Sequence, residues 1–97
     1  MTLIVVAYDV NTESAEGRKR LRRVAKICED HGRRVQNSVF ECWVDAARWV
    51  KLRGQLISEI DARADSLRFY FLGDNWRGKT EHIGAKASYD PEGPLVV

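Results

Sequence analysis

Long apolar runs are missing from this chain of 97 residues. No stretch approaches the roughly 20 apolar residues that a membrane-spanning helix needs. A basic leader is missing as well. The residues from Leu3 onward read as a strand, without a cationic start or a small-residue cleavage site, so no secretory signal is expected. Cysteine is scarce. Cys28 and Cys42 fall inside a helical and a strand pattern, at a spacing unlike a zinc site. They read as reduced core thiols of a cytoplasmic protein. A large excess of one charge is lacking too: the net charge is +2, which does not by itself argue for nucleic acid. The length leaves room for a single domain over 1–97, and a chain this small gains from burying more surface by dimerising.

What is present is a regular alternation of strands and helices. Leu3 to Asp9 is rich in β-branched residues and apolar on both faces, as a central strand is. Ser14 to His31 carries Leu21, Val24, Ala25, Cys28 and His31 at helical spacing, with Gly32 as its stop. Arg33 to Val44 has strand chemistry, and the polar Gln36-Asn37-Ser38 splits it into two strands. Asp45 is a good N-cap for a helix from Ala46 to about residue 62. Trp49, Leu52, Leu56 and Ile60 form its buried stripe, while Lys51, Arg53 and Glu59 face water. Ser66 to Gly73 is a last strand with Leu67, Phe69 and Phe71 on one face. The order strand, helix, strand, strand, helix, strand predicts an α+β ferredoxin-like βαββαβ sandwich.

The core therefore spans about 1–73, and a tail of about 74–97 follows. Gly78, Gly84, Pro91, Gly93 and Pro94 punctuate that tail, yet it finishes on Leu95-Val96-Val97. Three terminal aliphatics read as a short strand that adds to a sheet edge, that of the partner in a homodimer. Gly73-Asp74-Asn75-Trp76-Arg77-Gly78-Lys79-Thr80 matches the phosphate-loop pattern by letter. That motif needs a helix starting at its Lys-Thr, and Glu81-His82-Ile83-Gly84 supplies none, so the match is read as accidental.

The positive charge is unevenly placed. Arg18, Lys19, Arg20, Arg22, Arg23 and Lys26 crowd the start of the first helix, with Glu29 and Asp30 at its end. This runs against the helix dipole, which favours anions early and cations late. It reads either as a solvated face or as a cationic ridge for phosphates, to which Arg33 and Arg34 add. Arginine outweighs lysine, which suits bidentate phosphate contacts.

Three stretches carry a family resemblance: Tyr8-Asp9-Val10, then Lys19-Arg20-Leu21-Arg22-Arg23-Val24-Ala25-Lys26, and the more specific Arg34-Val35-Gln36-Asn37-Ser38-Val39-Phe40-Glu41-Cys42. Together they resemble the second CRISPR-associated protein, the Cas two family. Glu81-His82-Ile83-Gly84-Ala85-Lys86 resembles its subtype I-C branch. The resemblance implies a cytoplasmic homodimer that works with the Cas-one integrase in spacer acquisition. It also implies a metal-dependent endonuclease, acting on double-stranded DNA or single-stranded RNA. The family's metal-binding and catalytic aspartate falls on Asp9, one from each subunit, with Mg2+ or Mn2+ as cofactor. Tyr8, Arg34, Ser38 and Phe40 match positions near the dimer cleft. The expected nucleic-acid contacts are Arg18, Lys19, Arg22, Arg23, Lys26, Arg33 and Arg34. A toxin-like endoribonuclease without an integrase partner is the alternative on the same fold.

From the residues alone, Asp9 is either a turn residue after the first strand or a ligand to a hydrated metal ion. Magnesium keeps most of its waters and takes one or two protein carboxylates. One Asp9 is a poor site, whereas two related by a twofold axis make a plausible one. His31, on the helical apolar stripe, and His82, in the tail, read as structural rather than catalytic. Glu41 reads as an interface or solvent-facing residue.

Overall fold

The computed structural model describes residues 1–73. The elements run β1 (Thr2–Asp9), α1 (Ala15–His31), β2 (Gly32–Gln36), β3 (Val39–Val44), α2 (Ala46–Glu59) and β4 (Ser66–Gly73). The four strands form one antiparallel sheet in the order β2-β3-β1-β4, so β1 is central, as its two apolar faces predicted. The α+β sandwich expected from the alternation is therefore present. The tail strand and the rest of the phosphate-loop string lie outside the described residues.

Both helices pack on one face of the sheet. The core between the layers joins Ile4, Val6 and Tyr8 of β1 to Phe40, Cys42 and Val44 of β3. Val24 and Cys28 of α1 and Leu52 and Leu56 of α2 close it from above. Each of these side chains is under 10% exposed, and burial of one such aliphatic contributes about 1.5–3 kcal/mol. Trp49 extends the core toward β4, edge-on to Phe69 at 4.8 Å and to Phe71 at 5.1 Å. Both cysteines are free and buried, and desolvation pushes each thiol up to about 12, so neither is a ready nucleophile.

Local chemistry sets the boundaries. Ser14 caps α1 by accepting the Gly17 amide at 3.0 Å, and Asp45 caps α2 by accepting the Arg48 amide at 2.8 Å. Gly32 ends α1 in an extended conformation (φ −169°, ψ −155°) and is the first residue of β2. Its lack of a side chain matters for space: a Cβ there would lie 2.1 Å from the Glu41 carbonyl oxygen and 2.7 Å from Cys42 Cα. Helix α2 stops at Glu59, short of residue 62, because Asp61 instead opens a turn held by Asp65. Glu59 does not simply face water. It takes the Arg23 guanidinium at 2.7 Å and ties α2 to α1. Phe71 shares a face with Phe69 but is 60% exposed, because β4 is an edge strand in the described sheet.

Candidate functional site

Asp9 is the last residue of β1 and its side chain is exposed. Strand alternation puts it on the face shared by Leu3, Val5 and Ala7, opposite the helices. Leu3 is 3% and Val5 0% exposed, although neither belongs to the helix-side core. The register sets Val5 between Glu41 and Tyr70, and Ala7 between Val39 and Arg68. The Asp9 carboxylate therefore stands at the end of an apolar strip on the face opposite α1 and α2. It accepts no hydrogen bond and makes no ion pair among the described residues.

The segments on either side of Asp9 are tightly braced. On one side, Val10 is buried and leads into the Asn11–Ser14 connection. The Asn11 side-chain oxygen accepts the Glu13 amide at 2.9 Å, and Arg18 donates to the Thr12 carbonyl at 3.2 Å. The Asn11 carbonyl oxygen passes so close to α1 that a Cβ on Gly17 would sit 1.9 Å from it. Asp65 holds the same connection from below. Its side chain is 0% exposed and accepts from Arg20 at 2.8 and 3.2 Å, and from the Asn11 and Asp61 amides at 2.9 Å each. The Arg20 hydrogen bonds are the largest reason why the Asp65 carboxyl is lowered to about 2.

On the other side lies the turn between β2 and β3. The Tyr8 amide donates to the Ser38 carbonyl at 3.0 Å, and the Tyr8 hydroxyl reaches the Asn37 carbonyl at 3.5 Å. Arg34 donates to that same Asn37 carbonyl. Its guanidinium lies 4.9 Å from the centre of the Phe40 ring, and 3.7 Å from Glu29. Burial is the main cause that raises the Tyr8 hydroxyl above its ordinary value. Tyr8 and Phe40 are 5% and 0% exposed, with ring centres 6.2 Å apart on the helix side of the sheet. In the described chain they are core residues behind Asp9, and the half-buried Ser38 meets β1 through its backbone.

Arg18, Lys19, Arg22, Arg23 and Lys26 of α1 are exposed and most are already engaged, whereas Arg33, set beside Glu41 by the register, lies on the sheet face opposite the helices. Lys19 lies 3.8 Å from Glu16, Arg23 2.7 Å from Glu59, Lys26 3.1 Å from Asp30 and Arg33 3.1 Å from Glu41. Arg22 is exposed and makes no ion pair among the described residues. Exposed pairs of this kind are worth roughly 0–1 kcal/mol, so a phosphate competes easily with the carboxylate. Glu41, expected at an interface or in solvent, is engaged by Arg33. His31 has its Nε2 3.1 Å from the Gln55 side-chain oxygen.

A hard divalent cation suits Asp9, a free oxygen donor with room for water and no nitrogen or sulfur ligand clustered with it among the described residues. Among the described residues no three His, Cys, Asp or Glu side chains converge, so a single described chain offers Asp9 alone. Sequence reasoning missed Asp65 and Gly17. A glycine in the first turn of a helix was the only available signal for the second. Asp65 carried no signal, since its partners Arg20 and Asn11 are 45 and 54 positions away.

A family model described as CRISPR associated protein Cas2 matches residues 1–80. A CRISPR-associated endoribonuclease Cas2 of Chlorobaculum tepidum is 61% identical over 98% of this chain and 99% of that protein. A CRISPR-associated endonuclease Cas2 of Halalkalibacterium halodurans is 55% identical over 97% of this chain and 98% of that protein. Among solved structures, Streptococcus pyogenes Cas2, crystallised at pH 6.5, superposes with a TM-score of 0.74 at 55% identity. That match covers 84% of this chain and 99% of the other.

Proposed function

Since this chain belongs to the CRISPR-associated Cas2 family, we propose that it acts in spacer acquisition as a symmetric homodimer. The dimer holds duplex DNA, bridges subunits of the Cas-one integrase, and cleaves phosphodiester bonds through paired Asp9 residues. The observation that carries this reading is the free Asp9 carboxylate. It is exposed at the end of the central strand, on the face opposite α1 and α2, between two braced segments. A second copy related by a twofold axis presents the same carboxylate from the other side.

Each residue has a stated task. Asp9 of each subunit holds a divalent ion, Mg2+ or Mn2+. The chemistry such an ion supplies when bound is polarisation of a phosphate oxygen and a more acidic water. Tyr8 and Ser38 fix the strand end through their backbone hydrogen bond, with Phe40 and Arg34 packed behind it. Asp65 and Arg20 fix the connection that follows Asp9. Arg18, Lys19, Arg22, Arg23, Lys26, Arg33 and Arg34 meet phosphates, which positions a duplex without reading its sequence. The site of action is the cytoplasm. The tail of about 74–97, which this reading assigns to the strand that reaches the partner, lies outside the described residues, and assignment to subtype I-C rests on its Glu81–Lys86 string.

The relatives' names favour a second reading on the same site. One is called an endoribonuclease and another an endonuclease, which supports RNA beside duplex DNA as a substrate to be tested. In its strongest form this is a toxin-like endoribonuclease with no integrase partner. Asp9→Ala, assayed for cleavage of both substrates and for spacer acquisition with the integrase, separates the readings. Loss of metal-dependent cleavage with acquisition retained is expected. Undiminished cleavage removes the catalytic role of Asp9. RNA cleavage without any integrase association makes the toxin-like reading the better one.

A further inference from the structure

The outer face of α2 carries a seam that neither the core nor the Asp9 site uses. Ala47, Val50, Gly54 and Ile57 follow one another at spacings of three, four and three, which places them in one line along the helix. All four are exposed, and Val50 and Ile57 are 69% and 45% exposed, unusual for aliphatic residues on an amphipathic helix. Gly54 is in the middle of the helix, where glycine is the least favourable residue after proline. Nothing among the described residues requires it: a Cβ at Gly54 would meet no described atom within 4 Å. A glycine in an apolar seam leaves room for another backbone to come close.

The flanks of the seam are both basic. Lys51 lies beside Ala47 and Gly54, and Arg53 beside Val50 and Ile57, each three or four positions away. Neither makes an ion pair or hydrogen bond among the described residues. These positions correspond to those that set partner choice in a helical pair. A second copy of α2 would bring Lys51 and Arg53 against the same cations, which repel. A nucleic acid would satisfy the cations but leave Val50 and Ile57 against phosphates and water. Both the aliphatic seam and the two cations are satisfied by an amphipathic helix with acidic flanks.

We propose that the outer face of α2 is a docking site for an acidic amphipathic helix of another protein, seated on Val50, Gly54 and Ile57 between Lys51 and Arg53. The test uses the full chain and two labelled synthetic helices of about three heptads, with leucine at the seam positions. One carries glutamate on both flanks and the other lysine. Fluorescence anisotropy is expected to show the acidic helix binding at least about tenfold more tightly than its basic twin. Ile57→Asp is expected to remove that binding. Lys51→Glu together with Arg53→Glu is expected to reverse the preference. Thermal unfolding checks each variant, and Val50→Asp replaces Ile57→Asp if the latter does not fold. The proposal is overturned by equal binding of the two helices, by no binding at about 1 mM, or by a preference that survives charge reversal. It is also overturned if duplex DNA displaces the acidic helix in wild type and direct titration shows Lys51→Glu/Arg53→Glu to lose duplex binding, which makes the face a nucleic-acid surface.

Discussion

Replacing Asp65 with Asn tests whether the segment after Asp9 is held in place by a buried charge. The Asp65 side chain is 0% exposed and accepts four hydrogen bonds, two from Arg20 and one each from the Asn11 and Asp61 amides. Asparagine is nearly isosteric but presents an NH2 where two of those donors point, and it removes the charge. The carboxyl is lowered from 3.8 to about 2 in the folded chain. That gap corresponds to about 2 kcal/mol of stability at neutral pH. Because the folded-state value is the lower one, this contribution is complete above about pH 4 and is lost as pH falls through about 2. Urea unfolding of wild type and Asp65→Asn at steps from pH 7 to pH 2.5 measures it. The variant is expected to be less stable by about 2 kcal/mol at pH 7, with the difference shrinking as acid removes the same charge from wild type. Equal stability at pH 7, or a difference that does not shrink on acidification, would refute the reasoning.

The remaining predictions concern space and charge. Gly17→Ala is expected to destabilise the fold by 2 kcal/mol or about that, since its Cβ would sit 1.9 Å from a backbone oxygen that cannot swing away. Gly54→Ala, in open space on α2, is expected to stabilise by about 1 kcal/mol in the same denaturation assay. Opposite signs at two helical glycines separate close approach from simple helix propensity. For nucleic acid, Arg22→Ala is expected to weaken duplex binding equally across sequences and to reduce the salt slope by about one. An unchanged slope removes Arg22 from the phosphate contacts.

Much of the scaffold was legible because its signals are local. β1 showed its central position through two apolar faces, and the Asp45 cap marked the start of α2. Gln36-Asn37-Ser38 marked the turn between β2 and β3. Of the candidate site, Asp9 was legible and its supports were not. Asp9 stood out as a carboxylate ending an apolar strand. Tyr8 and Phe40 were placed near a cleft by resemblance, yet alternation along β1 sends Tyr8 to the face opposite Asp9. Asp65 is spoken for by residues in other elements, and no local pattern records such a partnership. The same holds for the end of α2, where the Asp61–Asp65 turn overrides a helical pattern that runs on to residue 62.

Subunit mixing tests whether two Asp9 carboxylates make one site. Wild type and Asp9→Ala, co-refolded in equal amounts, form dimers at random, and magnesium-dependent cleavage is measured against pure wild type at the same total concentration. If both carboxylates are required, activity falls to about a quarter, because only that share of dimers carries two wild-type subunits. Activity near half would show that each Asp9 works alone and would contradict the paired site.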